Sequence, residues 1–157
     1  MGTTDGLNGW LLLILMIWAG SAGVLDWRSR RLPNPLTLGG LAGALLWLLL
    51  FSQGPTGAPW TECLMAGGLA AAITLPAYLL KAMGAGDVKL GIAMGVAGGM
   101  QVLLATLLLA GVLGGALALW LLATQRSHLG SGQRSVPFGS ALGVGFITAI
   151  WALPVLY

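Results

Sequence analysis

The sequence predicts an all-α membrane protein: a bundle of six transmembrane helices, the fourth of them short. Three observations predict it. Of 157 residues, 57% are hydrophobic and only 7% are charged, against about 25% charged in soluble domains. The apolar residues fall into long runs, most of which approach the roughly 20 residues that cross a bilayer. All seven basic residues fall in alternate breaks between those runs. The 26 Gly and seven Trp fit this class, because Gly lets helices pack closely in lipid and Trp favours the interface. The chain, 1–157, reads as one polytopic domain.

Helices are expected over 9–26, 35–51, 62–80, 87–100, 102–124 and 136–156. Trp10 to Leu25 is apolar without interruption and ends at Asp26. No Lys or Arg precedes it, so it reads as a retained helix and not as a signal peptide. The basic stretch Trp27-Arg28-Ser29-Arg30-Arg31-Leu32-Pro33-Asn34-Pro35 follows. Its prolines cannot continue a helix but start the next one well. Leu36 to Phe51 is the second run. Ser52 to Thr61 is a loop with two Pro, two Gly and no basic residue. Leu64 to Leu80 is the third run, with Pro76 as an expected kink.

Val88 to Thr124 is apolar for far longer than one span. As a single helix it would extend roughly 55 Å, against a hydrocarbon core of about 30 Å. A turn is therefore expected at Gly98-Gly99-Met100-Gln101. Gln125 to Ser135 is a polar loop, and Val136 to Leu156 is the sixth run.

Six crossings put Arg28, Arg30, Arg31, Lys81, Lys89, Arg126 and Arg134 on one side and no Lys or Arg on the other. By the positive-inside rule that side is cytoplasmic and both termini face outward. Without the turn near Gly98, Arg126 and Arg134 would lie on the wrong side. The same topology sorts the acids: Asp5 and Glu62 lie outside, and only Asp26 and Asp87 lie at the cytoplasmic boundary.

Asp87 sits in Gly84-Ala85-Gly86-Asp87-Val88-Lys89. A carboxylate at the edge of an apolar segment is costly and marks a candidate functional site. Two carboxylates a few Å apart share one proton and titrate as a unit. The ionised member can take a proton from water while the protonated one donates to a carbonyl oxygen, which is aspartyl protease chemistry. Other readings stay open. Asp26 can pair with Arg30 and Asp87 with Lys89 as interfacial ion pairs, or the acids can serve an ion or proton pathway. The scarcity of polar residues inside the first, second and fifth helices argues against a continuous path. Cys63 and His128 are each the only one of their kind. They read as a small core residue and a solvated loop residue, so no metal site is expected. The net charge of +3 comes from too few residues to indicate nucleic acid.

Three segments together resemble one known family. Asp26 followed by Arg31-Leu32-Pro33-Asn34 and Leu36-Thr37 is similar to a D…R-[IL]-P-N-x-L-T motif. Gly84 to Leu90 is similar to GxGDxKL. Val136-Pro137-Phe138-Gly139 is similar to a PFGP segment, with Ser140 where many relatives have Pro. On these residues the chain resembles the type IV prepilin peptidases, membrane aspartyl proteases of the GxGD class. The resemblance implies that Asp26 and Asp87 are the catalytic pair. It also implies substrates among prepilin or pseudopilin proteins, which carry a short basic leader ahead of a hydrophobic helix. Their leader would be removed at the cytoplasmic face of a bacterial inner membrane. A preflagellin-type peptidase, an ion pathway and a non-catalytic assembly factor are the alternatives.

Larger bacterial members carry a domain with paired CxxC motifs between the first two helices. The loop here has about ten residues and no Cys, similar to the compact peptidases of tight-adherence and Flp pilus systems. No cofactor is expected, and S-adenosylmethionine enters only if a methyltransferase activity accompanies cleavage. Supporting roles fall on Gly84 and Gly86, as an irregular backbone receiving substrate or a plain helix start. Lys89 either tunes the pair or anchors the loop. Pro33 and Asn34 set the turn into the second helix. Pro137, Phe138 and Gly139 line the substrate entrance or simply begin the sixth helix.

Overall fold

A computed structural model of the chain describes residues 4–29, 32–81, 83–124 and 138–152. Pro137, Arg30, Arg31, His128, Arg126 and Arg134 lie outside the described residues, as do the outer ends of the helix expected over 136–156. Five helices are described: α1 (Thr4–Ser29), α2 (Asn34–Phe51), α3 (Trp60–Leu79), α4 (Ala85–Thr124) and α5 (Phe138–Ala152). The first four are long and apolar enough to cross a membrane, and α5 is a shorter apolar helix.

The sequence predicts separate helices over 87–100 and 102–124. In the structure α4 consists of two helical arms that meet at Gly99, which lies outside helical backbone at φ 75° and ψ −175°. That region is nearly exclusive to glycine, because a Cβ would clash with the backbone. The element is not straight. The ring of Phe138 lies 3.2 Å from where a Cβ at Gly114 would stand, and Asp87 Oδ1 lies 2.7 Å from where one at Gly139 would stand. Residues 87 and 114 thus approach neighbouring positions on α5, although a straight helix would hold them about 40 Å apart. α4 therefore doubles back at Gly99. The buried Thr56 hydroxyl donates to the carbonyls of Ala97 and Gly98 at 3.3 and 3.2 Å, occupying acceptors that the break leaves without helical partners.

Helix ends differ from the expectation. α1 continues through Ser29, so Asp26 lies inside its last turn and does not terminate it. Arg28 in that turn suits the negative end of the helix dipole. α2 starts at Asn34, with Pro33 as its cap and Pro35 in the first turn. There the missing N–H of proline costs nothing. α3 contains Pro76 without ending at it.

The core is made of small residues and a few large ones. Phe146, Leu90, Met94 and Leu142 are fully buried with Ala19, Ala22, Ala97 and Ala149. Trp18 meets Phe146 edge to face at 6.2 Å. A second cluster joins Ala66 and Ala70 of α3 to Leu103, with Ile92 and Leu107 against it. This cluster draws on both arms of α4.

Candidate active site

One helix crossing and one helix start set the site. α1 and α5 meet with their backbones nearly in contact. A Cβ at Gly143 would stand 2.7 Å from the Ala19 carbonyl and 3.3 Å from Gly23 Cα. Small residues permit this approach, as is usual for helices packing in lipid. One turn further along, the same two faces bring Asp26 against the start of α5. Asp26 is buried at 6% exposure. The Ser140 backbone N–H donates to its Oδ2 at 3.0 Å. A free N–H in the first turn of a helix is a ready partner for a carboxylate.

Asp87 is placed by its own helix start. Its backbone N–H donates to the Gly84 carbonyl at 3.1 Å. The Gly84 N–H donates back to Asp87 Oδ2 at 3.3 Å. This is half of a capping box: the acid at the third position reaches back to the cap N–H, while Gly84, with no side chain, offers only its backbone carbonyl. It fixes the carboxylate and directs Oδ1 at α5.

The two acids converge on one atom-sized gap. A Cβ built on Gly139 would stand 2.7 Å from Asp87 Oδ1 and 3.0 Å from both Cγ and Oδ2 of Asp26. Asp87 Oδ1 and Asp26 Oδ2 both lie within 3.0 Å of that point, so they are no more than about 6 Å apart, a range in which like charges interact strongly. Only a residue with no Cβ fits between them.

A cleft of about 370 Å³ opens beside the pair, lined by Asp26, Leu32, Asn34, Gly84, Ala85, Gly86, Asp87 and Lys89. It brings together residues from three places in the sequence. Leu32, between α1 and α2, presses on Gly86: a Cβ there would stand 2.8 Å from Leu32 Cβ. The Lys89 ammonium donates to Asn34 Oδ1 at 2.8 Å. Pro33 does not line the cleft; it accepts the N–H groups of Leu36 and Thr37 and starts α2. Phe138 does not line it either. Its ring packs on Gly114 and the core, and the residue begins α5.

The Ser140 N–H and the Leu32 contact were not identified from the sequence. Ser140 entered there only as a departure from a Pro-containing segment. That departure supplies the donor to Asp26, because proline has no N–H. Ser140 therefore carried a usable signal; the Leu32 contact, a matter of long-range packing, carried none.

With this geometry in place, a family model described as the type IV leader peptidase family matches residues 13–119. The chain belongs to the type IV leader peptidase family. The matched stretch contains both Asp26 and Asp87, while Gly139 lies beyond it. This family member is also similar to a Prepilin leader peptidase/N-methyltransferase of Pseudomonas putida, 31% identical over 152 residues. The alignment covers 90% of this chain and 50% of that protein, so the chain spans about half the length of the curated relative it matches. No solved structure matches this leader peptidase family chain.

Proposed function

We propose that the chain is a membrane aspartyl endopeptidase that removes the short basic leader from prepilin or pseudopilin proteins. The observation that supports this reading best is the convergence of Asp26 and Asp87 on Gly139 at the edge of an open cleft. The pair holds one proton between its two carboxyls. The ionised carboxylate takes a proton from a water molecule as the water oxygen bonds to the scissile carbonyl carbon. The other carboxyl gives its proton to the carbonyl oxygen. The tetrahedral diol then returns a proton through the pair to the amide nitrogen, and the C–N bond breaks. The pair ends with one proton, as it began. No covalent intermediate forms, and the reading invokes no metal and no S-adenosylmethionine.

The reading includes six crossings, with both termini outside and the cleft at the cytoplasmic face of a bacterial inner membrane. The reversal of α4 at Gly99 and the segregation of the seven basic residues support it. A leader emerging on the cytoplasmic side would then meet Asp26 and Asp87 at the bilayer boundary. The decisive experiment incubates the purified protein with full-length prepilin-type substrates and reads the products by mass spectrometry. A single cut between the basic leader and the apolar segment is expected. Intact substrate under all conditions would overturn the reading.

A further inference from the structure

We propose that Lys89 and Asn34 are positioning residues, forming a clamp across the cleft that holds Asp87 opposite Asp26. The proposal rests on the peptidase reading above. The Lys89 Nζ donates to Asn34 Oδ1 at 2.8 Å across 55 residues of sequence. Lys89 follows Asp87 by two residues at the start of α4. A cation gains nothing from the helix dipole at that end, so helix stabilisation does not account for it. Asn34 is the first residue of α2, and a short link joins it to the helix that carries Asp26. The bond therefore closes a ring containing both acids: Asp26, the link, Asn34, Lys89 and Asp87.

The ring is otherwise held only partly. Asp26 is fixed by α5 through the Ser140 N–H, and Asp87 by its own cap at Gly84. Neither contact sets the width between the α2 start and the α4 start. Leu32 against Gly86 limits how closely the two approach, and the clamp, whose side chains both line the cleft, keeps them from parting. It is exposed, so its loss costs little global stability. Among the described residues, the charged groups lining the cleft are Asp26 from α1 and Asp87 and Lys89 from α4. From α2 comes the neutral Asn34. From α5, Gly139 and the Ser140 N–H reach the acids. Arg28 lines a separate groove between α1 and α5.

The test uses Asn34→Ala, Lys89→Met, the double variant, and the exchange N34K/K89N, in which the two partners swap sides. Each single variant is expected to lower kcat roughly ten- to a hundred-fold, the effect of small displacements at a reacting centre, with KM changing much less. The pH range of activity should narrow as well. Acids further apart couple less, so the two apparent pKa values of the pair draw together. The double variant should be no worse than the worse single, and the exchange should recover most of the lost kcat. Single variants with wild-type kcat and pH profile would overturn the clamp. So would an additive double variant, or an exchange as impaired as the singles. A fall in thermal stability with an unchanged pH profile would also overturn it, since that is a structural role alone. A wild-type chain that cleaves no prepilin-type substrate would overturn the underlying reading and the clamp with it.

Discussion

Gly139→Ala is the sharpest single-atom probe of the site. The new Cβ would stand 2.7 Å from Asp87 Oδ1 and 3.0 Å from Asp26 Oδ2 and Cγ. Ordinary contact between a carbon and a carboxylate oxygen begins near 3.4 Å, so one or both acids must retreat by about half an ångström or more. Asp26 cannot yield without straining its bond from the Ser140 N–H, and Asp87 cannot yield without straining its cap at Gly84. Displacements on this scale lower rates by up to about a hundred-fold. Added volume at a tight contact costs about 1–3 kcal/mol of stability. The assay is kcat/KM on a prepilin-type substrate, alongside thermal unfolding in the same detergent. The expected result is a folded protein, modestly destabilised, with activity reduced roughly a hundred-fold. Gly39→Ala is the control: nothing lies within 4 Å of its Cβ position, and it should behave as wild type. Wild-type activity in Gly139→Ala would refute the geometry of the pair.

Three further outcomes follow from the same structure. Gly86→Ala places a Cβ 2.8 Å from Leu32 Cβ and should depress activity; adding Leu32→Gly removes the opposing carbon and should restore it, while a double variant as poor as the single would reject that contact. Gly99→Ala forces a side chain into backbone at φ 75° and should cost about 1–3 kcal/mol, read as a lowered unfolding midpoint; an unchanged midpoint would mean that α4 does not break there. Cysteines introduced at Arg28 and Lys81 should react with a membrane-impermeant thiol reagent only from the cytoplasmic side, and one at Gln101 only from the outer side; the reverse pattern would overturn the proposed topology.

Parts of this site were legible in the sequence, each for a physical reason. Asp26 and Asp87 stood out because charge is costly in lipid and because topology brought only two acids to one boundary. The need for a break in 88–124 followed from the thickness of a bilayer. The structure locates it at Gly99, inside the stretch 98–101 where the turn was expected. The partnership of Gly139 with both acids was not legible, because it depends on how α1 and α5 cross at Gly23 and Gly143. Asn34 and Lys89 were each noticed, but their bond to one another was not. Spacing along a chain does not report a contact 55 residues apart. The direction in which Phe138 packs was not legible either, because an aromatic at a helix start carries no sign of which side it faces.

The most direct test of the central claim is the cleavage rate of Asp26→Asn and Asp87→Asn, each alone, in protein that remains folded. Asn keeps the shape of the side chain and removes the ability to exchange a proton. In the proposed mechanism both acids act on the same water and carbonyl, so each substitution alone should abolish cleavage, and the double variant should be no worse than either single one. Cleavage at the wild-type rate in either single variant would contradict a shared catalytic pair.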